Sequence, residues 1–127
     1  MANPRAKLSE VDPVWSRICK EAEAAIADEP LMGGLVHTSV LHHGSLECAL
    51  AYRISMKLAS PEMSDQMLRE IADEAYLDDP TLAEAARADL TAILDRDPAC
   101  HRYLQPLLFF KGFQAVQAYR LGHWLWL

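Results

Sequence analysis

The sequence predicts an all-α fold, a bundle of about six to eight helices that forms a single domain. Hydrophobic residues make up 51% of the 127 positions but aromatic residues only 8%, so the apolar content is largely the small and aliphatic residues that pack between helices. Apolar positions recur at three- and four-residue spacing along most of the chain. No segment shows the strict alternation between turns that is typical of a β-strand.

The first two helices are predicted before Gly44. The pair Asp12-Pro13 offers a side-chain cap followed by a proline at the first helical position, and apolar residues continue the pattern to about residue 28. A second helix is predicted over residues 30–43, although the adjacent glycines at 33 and 34 lower its helical propensity.

Three further helices are predicted in the middle of the chain. The third follows the N-cap candidate Ser45 and keeps its apolar spacing to about residue 60. The fourth begins after Ser64 and the fifth after Asp79-Pro80, and both have acidic faces. A third Asp-Pro pair, Asp97-Pro98, indicates another helix start.

The last helix is predicted over about residues 106–126 and is apolar around most of its circumference. A helix of this kind has to be enclosed by protein on several sides. The sequence stops at Leu127 without a capping glycine or asparagine and with large apolar side chains at its end. We therefore expect a longer natural chain whose following residues cover positions 124–127.

Charge and targeting signals bound the possible partners. The chain has 12 Lys and Arg residues against 18 Asp and Glu residues, and its net charge of −6 repels nucleic acid. The N-terminus lacks the apolar region of a signal peptide, and no apolar run is long enough to cross a membrane, so we expect a cytoplasmic protein without a membrane partner. Residues 1–10 are polar and are expected to form a mobile arm before a domain over residues 11–127.

Most reactive side chains have ordinary structural explanations. The five histidines are His37, His42, His43, His101 and His123. They lack the spacing of a helical metal pair, so no metal site is predicted. Cys19, Cys48 and Cys100 are far apart, which favours free thiols over a disulfide or zinc framework. Cys100 and His101 are not interpreted as a nucleophile and its base, because adjacent side chains point in different directions.

Asp95, Arg96 and Asp97 place two carboxylates and a guanidinium where the acidic part of the chain meets its basic, apolar end. A role as N-cap before Pro98 accounts for Asp97 by itself. In the functional interpretation, one carboxylate points outward and binds an ammonium group.

Several segments resemble the N-terminal helical domain of serine acetyltransferase. The most specific are Asp-Arg-Asp-Pro-Ala-Cys at 95–100, Leu-Leu-Phe-Phe-Lys-Gly-Phe at 107–113 and Gln-Ala-Tyr-Arg-Leu-Gly-His-Trp-Leu-Trp at 117–126. Shorter matches lie upstream at 14–15, 29–30, 50–52, 57–61 and 74–76, so the likeness covers nearly the whole chain from residue 11. Gln114 departs from the family, which usually has histidine at this position.

The resemblance implies a parent enzyme that transfers the acetyl group of acetyl-CoA to the hydroxyl of L-serine, giving O-acetylserine for cysteine synthesis. In that family a left-handed β-helix of hexapeptide repeats follows the helical domain and holds both the catalytic His-Asp pair and the acetyl-CoA site; such repeats are absent from this sequence. Asp97 matches the family's aspartate that helps to hold the amino group of serine, or of the inhibitor L-cysteine, across a subunit boundary. The resemblance gives no role to Asp95 or Arg96, and no catalytic, cofactor-binding or metal residue is expected in this segment.

The resemblance also implies self-association, since the family is typically a dimer of trimers joined through its helical domains. We expect apolar positions of the first helices, such as Trp15, Val36 and Val40, to supply the contact, so that Val36→Glu weakens it.

Two alternatives to the serine acetyltransferase hypothesis come from other classes. The first is a stand-alone helical interaction protein that shares the domain without enzyme activity. The second, a small helical enzyme with Asp95 and Asp97 as acid and base, lacks an evident pocket and nucleophile. A reading frame that continues past Leu127 into six-residue repeats would favour the acetyltransferase.

Overall fold

The computed structural model describes residues 12–127, and the arm predicted at residues 1–10 lies outside this range. Seven α-helices and no β-strand occur in the described residues, which confirms the all-α prediction. The helices are α1 (Pro13–Asp28), α2 (Gly33–Val36), α3 (Leu46–Leu58), α4 (Asp65–Asp78), α5 (Thr81–Arg96), α6 (Leu104–Phe109) and α7 (Lys111–Trp126).

Three of the predicted helix starts are confirmed by side-chain caps. Asp12 accepts the backbone N–H of Trp15 at 3.1 Å, with Pro13 at the first position of α1. Ser45 and Ser64 cap α3 and α4 in the same way, each accepting the N–H three residues further on at 3.1 Å. Such caps satisfy backbone donors that the helix itself leaves unpaired and contribute about 1 kcal/mol each.

The predicted helix start at Asp97 is wrong. Asp97 follows the last residue of α5, and its Oδ1 accepts the N–H of Ala99 at 2.9 Å in a turn. The next helix begins only at Leu104. An aspartate that bonds the backbone two residues on closes a local turn, so the chain reverses here instead of continuing into a helix.

Two predicted helices are each divided in the structure. Residues 30–41 are helical throughout, but they consist of a 3-10 turn, the short α2 and a π-helical segment over His37–Leu41. The helix predicted over 106–126 is wrong as one unit, because Phe110 has an extended backbone that separates α6 from α7. Periodicity alone could not reveal this break, since the apolar run continues through it.

The core contains residues from every α-helix and from the π-helical segment. Trp15, Val36 and Val40 belong to it and are 1%, 0% and 0% exposed. The expectation that these three residues form an exposed contact surface is therefore wrong. Val36 and Val40 lie four residues apart, a spacing typical of an amphipathic helical face. Together with Trp15 they pack inward against the rest of the bundle.

The apolar residues of α7 are not enclosed as predicted. Phe113 and Leu121 are buried, whereas Val116 and Tyr119 are 44% and 72% exposed. The described residues leave one side of α7 open. The residues that α7 does bury include the polar Gln114 and Gln117 as well as Phe113 and Leu121.

An ionic cluster joins α1, α3 and α5. Nη2 of Arg87 donates to Asp12 at 2.6 Å and to Glu47 at 2.7 Å. Burial disfavours the charge on both Arg87 and Asp12, but their mutual hydrogen bonds outweigh it, so the pKa of Asp12 is lowered and that of Arg87 is raised. The cluster fixes the start of α1 against the middle of the bundle.

Candidate functional site

A groove of about 600 Å³ lies between the C-terminal half of α5 and the start of α7. Its lining combines apolar residues with three charged side chains: Asp89, Ala92, Ile93, Arg96, Asp97, Pro98, Phe110, Gly112, Phe113 and Val116. A concave apolar surface with a small number of convergent polar groups is the usual form of a small-molecule site.

Asp97 lies at the edge of this groove, where α5 ends. The turn that follows holds its carboxylate in place through the 2.9 Å bond from the Ala99 N–H to Oδ1. Within residues 12–127 no side chain donates to Oδ2 or forms an ion pair with Asp97. The groove is therefore lined by a carboxylate whose Oδ1 is held by the turn and whose Oδ2 accepts from no described side chain.

Asp89 also lines the groove, but its charge is already paired. Nη1 of Arg120 donates to Asp89 Oδ2 at 2.6 Å, and Nε2 of Gln117 donates to the same oxygen at 2.8 Å. Burial favours the protonated carboxyl, yet these hydrogen bonds outweigh it and lower the pKa of Asp89 below its ordinary value. Asp89 thus joins α5 to α7 and forms one wall of the site.

The structure does not bring Asp95 and Asp97 together as an acid and base. Asp95 is exposed and is absent from the groove lining, whereas Asp97 and Arg96 both line it. None of the ten lining residues is a histidine, cysteine or serine. The lining offers no histidine for removing a proton from a hydroxyl.

Sequence reasoning missed the contribution of α7 to the site. Gln114 donates from Nε2 to the carbonyl oxygens of Leu107 at 3.1 Å and Leu108 at 3.0 Å, so it fastens the break between α6 and α7. Gln117 and Arg120 lie on the same helix and hold Asp89. One feature of the sequence indicated this contribution: no acidic residue follows Asp97, so an ion-pair partner of Arg120 within this sequence has to lie earlier in the chain.

Cys100 and His101, which the sequence analysis did not interpret as a nucleophile and its base, differ in burial. Cys100 is buried and its thiol donates to the Arg102 carbonyl at 3.5 Å, while His101 is exposed. Cys48 and Cys100 are free thiols, as predicted. Across residues 12–127 no three His, Cys, Asp or Glu side chains are grouped as metal ligands, and no helix there is long and apolar enough to span a membrane.

Comparison with known proteins finds one consistent group. The profile of the family described as "Serine acetyltransferase, N-terminal" matches residues 14–118. The serine acetyltransferase of Salmonella typhimurium is 45% identical over 117 residues, which cover 92% of this chain and 43% of that protein. The chain therefore spans less than half the length of this curated relative.

Solved structures give the same result. The serine acetyltransferase of Neisseria gonorrhoeae in complex with serine superimposes with a TM-score of 0.85 at 46% identity, covering 89% of this chain and 47% of that one. The enzyme of Brucella abortus in complex with coenzyme A gives 0.87 at 39% identity, covering 94% and 48%. A serine acetyltransferase in complex with cysteine gives 0.87 at 41% identity, covering 90% and 47%.

Proposed function

The chain belongs to the serine acetyltransferase family through its N-terminal helical domain, and on this premise we propose that it serves an enzyme that acetylates L-serine with acetyl-CoA. Residues 11–127 form the helical domain of that enzyme. Its contribution to the reaction is to hold the amino group of serine and to assemble subunits, while the catalytic base and the acetyl-CoA site belong to the rest of the enzyme.

One observation supports this proposal above the others: the positioned carboxylate of Asp97 at the edge of the groove. Its Oδ1 is held by the backbone of the turn, which leaves Oδ2 to accept a charge-assisted hydrogen bond from an ammonium group. Serine and cysteine carry the same ammonium group, so a single carboxylate serves both. The relatives solved with serine and with cysteine support these two ligands.

The groove does not suit coenzyme A. Its charged lining consists of two carboxylates and one guanidinium, whereas coenzyme A carries several phosphate charges that need cationic or N–H donors. We therefore assign acetyl-CoA, the acetyl donor of the reaction, to a site outside this chain, and no cofactor or metal to the chain itself.

Replacement of Asp97 in the longer parent enzyme tests the assignment. Asp97→Asn removes the charge but keeps an oxygen for the Ala99 N–H, so we expect serine affinity and cysteine inhibition to weaken together by about 1.5–3 kcal/mol. The measurements are KM for serine and the inhibition constant for cysteine.

A matched control is available two residues away. Asp95→Asn makes the same chemical change on an exposed side chain that does not line the groove, and we expect it to leave both constants unchanged. Wild-type serine affinity and cysteine sensitivity in Asp97→Asn would show that the assignment of this residue is wrong.

Activity of the chain alone provides a second test. Because the groove lining contains no histidine and does not suit coenzyme A, the 127-residue chain is expected to show no acetyl transfer from acetyl-CoA to serine. A thiol-release assay on purified protein measures this. Turnover above the uncatalysed rate would contradict the proposed division of labour.

Self-association of the chain is a separate part of the proposal. With Trp15, Val36 and Val40 in the core, the exposed apolar residues of the N-terminal helical segments are Leu31 and Leu35, at 93% and 36% exposed. They lie four residues apart on a helical stretch, so they share a face that a second copy can cover.

Sedimentation at micromolar concentration tests this contact. We expect a mass above the 14.2 kDa of one chain, reduced by Leu31→Glu. Leu77→Glu is the matched control, because Leu77 on α4 is 85% exposed but lies outside that face. A monomer at every concentration, or equal effects of the two substitutions, would contradict a contact through the N-terminal segments.

A further inference from the structure

A cysteine, a histidine and an arginine meet at the start of α3, far along the chain from Asp97. His43 Nδ1 lies 3.0 Å from Sγ of Cys48, and His43 Nε2 lies 3.0 Å from the carbonyl oxygen of Thr38. Nη2 of Arg69, from α4, donates to the same sulfur at 3.1 Å. Neither the family assignment nor the Asp97 groove makes use of this cluster.

The bond to Thr38 determines the role of each histidine nitrogen. A carbonyl oxygen can only accept, so Nε2 must carry the proton. Burial lowers the pKa of His43, which favours the neutral ring. In a neutral imidazole with its proton on Nε2, Nδ1 has a lone pair, and this lone pair faces the thiol of Cys48. His43 is thus positioned as a base for that thiol.

Two further features lie next to the sulfur. The guanidinium of Arg69 is in direct contact with Sγ, and Cys48 lies in the first turn of α3, where the helix dipole attracts anions. Two carboxylates line the same groove as Cys48: Glu47 accepts from Arg87 at 2.7 Å, and Asp73 accepts from Nε of Arg69 at 3.4 Å.

Cys48 also borders a groove. Cys48 is half-buried and lines a groove of about 300 Å³ together with Ser45, Glu47, Asp73, Tyr76 and Leu77. A molecule as small as hydrogen peroxide fits this space with room to spare. Activation and access therefore coincide at Cys48, the combination that marks a reactive cysteine.

We propose that Cys48 is a modification site, a thiol that peroxides oxidise to the sulfenic acid with His43 as the base. The sulfur attacks one peroxide oxygen as His43 Nδ1 takes the thiol proton, so an S–O bond forms and the O–O bond breaks. Sulfur loses two electrons and the peroxide gains them. The departing hydroxide receives the proton from His43, and the products are one sulfenic acid and one water.

The other two cysteines serve as internal references. Cys100 is 2% exposed, and its thiol donates to a backbone carbonyl. Cys19 is half-buried like Cys48, so it is the reference for exposure. Exposure alone would make Cys19 and Cys48 similar, whereas activation by His43 and Arg69 would set Cys48 apart.

The experiment treats the reduced 127-residue chain with hydrogen peroxide in the presence of dimedone, which traps sulfenic acids, and follows each cysteine by peptide mass spectrometry. We expect Cys48 to be labelled at least about 10-fold faster than Cys19 and Cys100. Labelling of Cys48 at the rate of Cys19 overturns the proposal, and this comparison needs no variant.

Two variants then test the cluster itself. In His43→Gln the side-chain amide can still donate to Thr38 but cannot take a proton, so Cys48 labelling should fall about 10-fold with Cys19 unchanged. Arg69→Met removes the guanidinium contact to Sγ and should lower the Cys48 labelling rate about threefold. Cys100 reports whether each variant stays folded, since it reacts only when the bundle opens. An unchanged Cys48 rate in folded His43→Gln excludes His43 as the base.

Discussion

The α5–α7 groove is lined by two carboxylates, one within α5 and one just beyond its end, and the two differ in what they bind. Asp89, inside α5, receives hydrogen bonds from Arg120 and Gln117 of α7. Asp97, one residue beyond α5, receives one from the backbone of its own turn. They are eight positions apart in sequence and line the same groove, yet α7 reaches only the first.

The difference separates a carboxylate that holds the fold from one available for binding. A charge that is two-thirds buried and paired across helices contributes to stability, and removal of its partner leaves it uncompensated. A carboxylate fixed only by a backbone N–H costs the fold little to replace and keeps an acceptor oxygen for a ligand. Burial alone would not distinguish them, because both are half-buried.

The largest expected effect is on the paired carboxylate. Arg120→Met keeps much of the side-chain volume but leaves Asp89 with Gln117 alone. The two side chains are 28% and 32% exposed, so we expect the free energy of unfolding to fall by about 2 kcal/mol, between the values typical of exposed and of buried ion pairs. Urea unfolding measures it. A loss no larger than that of Asp97→Asn would remove the distinction between the two carboxylates.

Acid should act on the same pair. The pKa of Asp89 is lowered from its ordinary value of 3.8, so its contribution is fully present above that value and is lost as the pH falls through the lower folded pKa. The pKa of Asp12 is also lowered, chiefly by its hydrogen bond with Arg87, so its contribution to stability is lost in the same direction of pH. Urea unfolding between about pH 6 and pH 3 should show a fall in stability that is shallower in Arg120→Met. Parallel curves for the two proteins would contradict the Asp89–Arg120 contribution.

The smallest expected effect is on the fold at the groove edge. Asp97→Asn keeps an oxygen that can accept the Ala99 N–H, and no other described residue loses a partner. We expect the free energy of unfolding to change by less than about 0.5 kcal/mol, even though ligand binding in the parent enzyme weakens. A destabilisation as large as that of Arg120→Met would indicate that Asp97 is structural.

The sequence predicted those parts of the fold that depend on neighbours along the chain. Caps at Asp12, Ser45 and Ser64 were visible because a capping side chain bonds a backbone N–H only three residues away. The motif at residues 95–100, which contains Asp97, could be recognised from the sequence because its residues are contiguous. The same local logic failed at Asp97-Pro98, where the side chain closes a turn two residues long instead of capping a helix.

What the sequence could not decide was which apolar face is covered and which charge is paired. Val36 and Tyr119 both lie on apolar helical faces, but the first is 0% and the second 72% exposed, since only the packing of distant helices determines which face turns inward. Cys48 with Arg69, and Asp89 with Arg120, lie 21 and 31 residues apart in sequence. The sequence alone determined the all-α class and the family. The tertiary structure decided the pairings, because ion pairs and thiol contacts depend on distances of about 3 Å that long-range packing sets.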